Sequence, residues 1–371
     1  MAEKVMLEGV PVRNGSQSAP TGPGKILMKG NEAIAEGAIR GGCDAYFGYP
    51  ITPQSEVLEY MARRMPELGR VFIQAESEVA AINMVLGAAC AGFRAMTSSS
   101  GPGISLKQEG ISYICGCQLP AVIVNVMRCG PGLGGVLLSQ SDYSQATKGG
   151  GHGDYHLLVL APSSVQEAMD LTALAFNLAD KYRNPVMVLT DATIGQIMEP
   201  VELRDYDVIR PPKPWALTGA QGRPKNLIKS LYLEPELLEA HNHELGRKYA
   251  AMATNEMRWA EYLLDDAEII VVAYGTPSRV ATTAIKQARQ QGIKVGLFRP
   301  ITLYPFPYQP LAKLADRAKA VLVVELSMGQ MMEDVKLAVC GRVPVELYNR
   351  VGGMVVAPPE VVEAITKLAR R

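Results

Sequence analysis

A chain of 371 residues is long enough to bury two separate cores, because a single core stops growing near this length. Hydrophobic residues make up 48%, charged residues 20% and aromatic residues 6%, which excludes the disordered and fibrous classes. Lysine plus arginine equals aspartate plus glutamate at 37 each, so there is no positive field of the kind that nucleic acid or an anionic membrane surface would need.

Residues 9–25, GVPVRNGSQSAPTGPGK, carry almost no large apolar side chains, and residues 1–25 are predicted to be a flexible extension. No apolar leader follows the opening MAEK, and no apolar run reaches the roughly 20 residues that a bilayer demands. A cytoplasmic protein with no membrane span is expected. From residue 26 to about 200, short apolar runs (AYFGYP, VFIQA, RAMTSSS, AVIVNVM, LLVLAP, VMVLTD) alternate with helix-length segments. That alternation predicts an α/β fold with a mostly parallel sheet covered on both faces. Residues 201–266 break it: PPKPW forbids regular structure, and EPELLEAHNHELGRKYAAMATNEMRWAEYLL is read as one long helix in a connector. Alternation resumes over 267–371 through EIIVVAYG, GIKVGLFRP, AVLVVELS and VELYNR, predicting a second α/β domain.

Ligands of open parallel sheets bind at the carboxyl ends of strands, so the strand ends hold the candidate residues. In Gly48-Tyr49-Pro50-Ile51-Thr52-Pro53, two prolines bracket Thr52, which makes its hydroxyl either a placed ligand group or part of a rigid turn. In Gln74-Ala75-Glu76-Ser77-Glu78, Glu76 can simply favour the following helix dipole. Glu78 enters an apolar helix, where an inward carboxyl would be desolvated and suited to trading a proton. Thr97-Ser98-Ser99-Ser100-Gly101-Pro102-Gly103 is either an anion cradle at a helix start or a close-packing loop. Arg128 ends an apolar strand before a loop with four glycines, placed to meet a carboxylate or to stay solvated. His152 and His156 in HGDYH are read as loop residues rather than metal ligands, and His241 and His243 as exposed on a charged helix. The six cysteines (Cys43, Cys90, Cys115, Cys117, Cys129, Cys340) show no C-x-x-C pair and no ferredoxin-type spacing, and are read as buried free thiols.

Seven motifs in order, MKGNEA (28–33), GYPITP (48–53), QAESE (74–78), TSSSGPG (97–103), VIVNVMRCGPGLG (122–134), QSDYSQATKGGGHGD (140–154) and LAPSSVQEAMDL (160–171), resemble the α subunit of 2-oxoacid:ferredoxin oxidoreductases. AYGTPSRVATTAI (273–285), FRPITLYPFP (298–307) and VVELSMGQM (323–331) resemble its transketolase C-terminal-like domain. Within the family, the resemblance is closest to subunits for branched-chain 2-oxoacids (3-methyl-2-oxobutanoate), with the 2-oxoglutarate group nearby.

The resemblance implies a thiamine-pyrimidine-binding domain over 26–200 and CoA-dependent oxidative decarboxylation of a 2-oxoacid to an acyl-CoA and CO2, with reduction of ferredoxin. It implies Glu78, Thr52 and Arg128 as catalytic residues: Glu78 on the pyrimidine of thiamine diphosphate, Thr52 on the substrate carboxylate or keto oxygen, Arg128 as the charge partner. Tyr49, Pro50, Ile51, Ser100 and Gly101 are implied around the cofactor. No G-D-G segment is present, so the diphosphate and Mg2+ are expected on a β subunit that also carries a [4Fe–4S] cluster, with γ and ferredoxin-like subunits beside it. The rival reading is a non-catalytic scaffold subunit in which the motifs persist as packing.

Overall fold

The computed structural model describes residues 3–6 and 24–371, so most of the predicted extension lies outside the described residues. The first part of the chain runs β1 (Glu3–Met6), β2 (Ile26–Lys29), α1 (Gly30–Arg40), β3 (Ala45–Gly48), α2 (Ser55–Glu67), β4 (Val71–Gln74), α3 (Glu78–Cys90), β5 (Ala95–Ser99), α4 (Gly101–Gly116) and β6 (Ala121–Met127). It continues with α5 (Tyr143–Thr147), β7 (Leu158–Leu160), α6 (Val165–Tyr182), β8 (Pro185–Asp191), α7 (Ala192–Gln196) and β9 (Met198–Val201). After residues 202–234, which hold no helix or strand, come α8 (Pro235–Asn255), β10 (Arg258–Tyr262), β11 (Ile269–Val272), α9 (Gly275–Gln290), β12 (Val295–Pro300) and β13 (Thr302–Tyr304). The chain closes with α10 (Tyr308–Ala315), β14 (Ala320–Glu325), α11 (Gln330–Val339), β15 (Val345–Asn349) and α12 (Pro358–Ala369).

The six predicted strands of the first region, joined by β13, form a seven-stranded sheet with the order β13-β7-β8-β6-β5-β3-β4, parallel except for β13. Every residue of β5, β6 and β8 is buried, as continuous apolar strands covered on both faces must be. The chain starts at β3, moves out to the edge strand β4, then returns to β5 on the other side of β3. This reversal is a topological switch point, the place where the loops after β3 and β5 diverge and where open parallel sheets bind their ligands. Pairing between β3 and β5 covers only Ala45–Ala95 and Tyr46–Met96, so the strands are free to part beyond it.

The second sheet has the order β1-β10-β12-β11-β14-β15. Three strands cross the boundaries expected from sequence. β1, within the segment expected to be a flexible extension, pairs parallel with β10 of the second sheet. β13 pairs antiparallel with β7 of the first sheet. β10, inside the stretch read as connector helix, pairs antiparallel with β12, while the helix itself stops at Asn255. Arg258–Tyr262 buries Trp259 and Ala260 on the second sheet, which stabilises extended backbone over helix despite the charged residues around them. Residues 202–234 run back across the first domain, held by Lys213 to Asp180 at 2.7 Å, Arg210 to Asp44 at 2.9 Å, and the Arg183 guanidinium over the Trp215 ring at 4.6 Å.

Polar groups, buried on at least one side, also tie the domains. The Glu167 carboxylate on α6 accepts from both terminal nitrogens of Arg299 at 2.6 and 2.9 Å. Asp191 accepts from the backbone N–H and hydroxyl of Thr276 at 2.8 and 2.6 Å. Asp334 collects Tyr143, Lys148 and Tyr308.

Candidate active site at the switch point

The turn after β3 is fixed from beneath. Asn31 Nδ2 donates to the Pro53 carbonyl at 2.7 Å, and Gln196 Nε2 to the same oxygen at 2.8 Å. Gln54 is buried and accepts from Ser98, which shares a 2.6 Å hydrogen bond with Tyr46. On this base Pro50 and Thr52 are exposed, and Tyr49 and Ile51 half-buried. Of Thr52, it is the backbone carbonyl that is engaged: Arg128 Nη1 donates to it at 3.0 Å.

Arg128 is not solvated. It is 7% exposed, gives its second terminal nitrogen to the Leu133 carbonyl at 3.2 Å, and leaves Nε without a partner in the chain. Its stem lies against Gly101, where a side chain would begin 3.4 Å from Arg128 Cγ. Asp142 lies close by, held by Asn125 Nδ2 at 2.9 Å. Burial pushes the Asp142 carboxyl up, against the opposing pull of Asn125 and the Arg128 charge.

Glu78 is the first residue of α3, after Ser77, whose hydroxyl caps the helix by accepting from the Ala80 N–H at 3.1 Å. The Glu78 side chain turns inward and is 7% exposed, whereas Glu76 is exposed. It meets the start of α4, where a Cβ on Gly103 would sit 2.7 Å from Glu78 Oε1 and 2.1 Å from Ser99 Oγ. The TSSSGPG segment is thus partly a packing device, with glycine admitting a carboxylate. It is also more than packing, because the hydroxyls of Ser99 and Ser100 are buried with no hydrogen-bond partner in the chain.

The structure therefore brings Arg128 against the Thr52 turn, and Glu78 against Ser99 and Gly103 with Ser100 and Gly101 beside them. His152 is exposed, His156 stacks on Tyr304 at 4.2 Å, and His241, expected to be exposed, is half-buried with Nε2 2.8 Å from the Gly116 carbonyl. Asn125, Asp142 and Lys107 were not singled out from sequence. A polar residue inside the apolar run AVIVNVM was the available signal for Asn125.

The model for pyruvate flavodoxin/ferredoxin oxidoreductases, thiamine diphosphate-binding, matches residues 36–262, and that for core domain II of pyruvate:ferredoxin oxidoreductase matches 267–361. The chain belongs to the pyruvate flavodoxin/ferredoxin oxidoreductase family. Among relatives, the ketoisovalerate oxidoreductase subunit VorB of Methanothermobacter thermautotrophicus is 56% identical over 92% of this chain and 97% of its own length. The 2-oxoglutarate synthase subunit KorA of the same organism is 38% identical over 93% and 99%. A solved 2-oxoglutarate:ferredoxin oxidoreductase from Magnetococcus marinus superposes with a TM-score of 0.84 at 27% identity, over 93% of this chain. This chain spans only 65% of the length of that protein. In this family the first domain is the thiamine diphosphate-binding one, and the buried Glu78 carboxyl and the unpartnered Ser99, Ser100 and Arg128 atoms suit a polar cofactor and an anionic substrate.

Proposed function

We propose that this chain is the subunit of a 2-oxoacid:ferredoxin oxidoreductase that supplies the catalytic carboxyl and the substrate contacts for CoA-dependent oxidative decarboxylation of 3-methyl-2-oxobutanoate. The observation that carries the reading is the inward Glu78, packed on Gly103 beside the buried Ser99 and Ser100 hydroxyls, which have no partner in the chain. An inward carboxyl at an apolar helix mouth costs stability that packing does not require, which argues against a scaffold.

Thiamine diphosphate, when bound, supplies the carbon that attacks the 2-oxo group. Glu78, 7% exposed, would hold and return a proton on its pyrimidine ring. Arg128 would face the substrate carboxylate, with its free Nε as donor and the Thr52 turn fixed beside it. Tyr49, Pro50 and Ile51 present an accessible edge, and Leu133, Leu137 and Met328 stand exposed nearby in the same region of strand-end loops. A partner subunit would cover this face, bringing the diphosphate site, Mg2+ and iron–sulfur clusters. The branched-chain substrate is supported by the identity to VorB being well above that to KorA.

The test is a complex reconstituted with its partner subunits and assayed for CoA-dependent ferredoxin reduction. With Glu78→Gln we expect a fall in kcat of at least about 100-fold, the size that loss of a proton-transfer group brings. Unchanged turnover would remove the catalytic assignment. A preference of the unaltered complex for 2-oxoglutarate over 3-methyl-2-oxobutanoate would keep the mechanism and change the substrate.

A further inference from the structure

Lys107 lies one helical turn beyond Gly103 on α4, so the two residues share a face. Its side chain is 0% exposed, and among the described residues no carboxylate forms an ion pair with it. The amine donates instead to Thr97 Oγ1 on β5 at 3.1 Å and to the backbone carbonyl of Glu78 at 3.4 Å. A methionine would fill the same volume without desolvating a charge, so the amine costs stability that packing does not require.

We propose that Lys107 is a positioning residue for the Glu78 carboxyl, an amine set behind it that pins the first residue of α3 to α4 and β5. The inference rests on the catalytic reading of Glu78. On this face of α4, glycine at 103 makes room for the carboxylate and lysine at 107 supplies the amine behind it. Burial pushes the amine down to about 8, while the Glu78 charge pulls it back up. Glu78 is the only charged residue of α3; β5 and β6 carry none, and Asp191 of β8 is engaged by Thr276.

The amine is therefore charged below about pH 8 and neutral above it. Because its value in the folded chain lies below the ordinary 10.5, its contribution to stability is complete above 10.5 and lost as pH falls towards 8. In the reconstituted complex, Lys107→Met should lower kcat about tenfold, leave the KM for the 2-oxoacid nearly unchanged, and abolish a break in the pH–rate profile near 8. Lys107→Arg should recover part of the rate. In the full chain, the thermal midpoint of Lys107→Met should exceed that of the parent at pH 7, and the gap should close between pH 8 and 10. A wild-type rate and pH profile in Lys107→Met, or a gap that stays flat with pH, would overturn the inference. If Glu78→Gln is also fully active, the parent reading has failed; if Glu78→Gln is dead and Lys107→Met normal, only the lysine's role has.

Discussion

Gly103 shows how the site is set by single atoms. A methyl group there would lie 2.1 Å from Ser99 Oγ and 2.7 Å from Glu78 Oε1, distances that no relaxed structure keeps. Gly103→Ala should therefore push the carboxyl aside and, on the role proposed for Glu78, lower kcat in the reconstituted complex about tenfold or more, because small misplacements cost heavily. The overpacking should also cost about 1–3 kcal/mol of stability, read from urea unfolding of the chain. A wild-type kcat in a folded Gly103→Ala complex would mean that this packing does not position the chemistry. Glu78 and Arg128 were legible in sequence because each is a charge at the end or start of an apolar run. Gly103 and Lys107 were not, since their meaning depends on which face of α4 turns inward. Thr52 was legible as a fixed point, but the structure engages its carbonyl and leaves the residue exposed.

At the scale of elements, the site depends on where α3 starts. Ser77 caps that helix, and with its hydroxyl removed the Ala80 N–H loses its partner. Ser77→Ala is expected to cost about 1 kcal/mol, measurable as a lower thermal midpoint. It should also loosen Glu78 and reduce kcat more than KM worsens, and a variant with lower stability but unchanged kcat would show that the cap serves folding alone. The strands of the parallel sheet were readable as continuous apolar runs, and their loops followed from them. Arg258–Tyr262 reads as helix in sequence because Arg258 and Glu261, three residues apart, fit one helix face, and only pairing with β12 reveals the strand. The pairing of β13 with β7 joins Thr302 to Leu160, partners too far apart in the chain for local pattern to connect.

The two domains share one apolar core cluster, and polar ties also cross the seam, of which Glu167 with Arg299 is the most buried on the cationic side. Arg299 is 1% exposed, and its two terminal nitrogens depend on a single carboxylate. Burial pushes the Glu167 carboxyl up, but the Arg299 charge and hydrogen bonds, with help from Ser163, hold it below the ordinary 4.5. The tie therefore contributes fully above pH 4.5 and is lost as pH falls below it, so acid should weaken the seam. Glu167→Gln leaves a buried guanidinium unpaired and should cost about 3 kcal/mol, whereas Glu167→Met with Arg299→Met removes both charges and should recover most of that loss. Urea unfolding of the parent, the single variant and the double variant forms the test. If the double variant is as unstable as the single one, the seam owes its strength to the fork of hydrogen bonds rather than to neutralising a buried charge. If the single variant unfolds in two steps where the parent unfolds in one, the ion pair is what couples the two domains, and the site residues on the first sheet can be studied apart from the second.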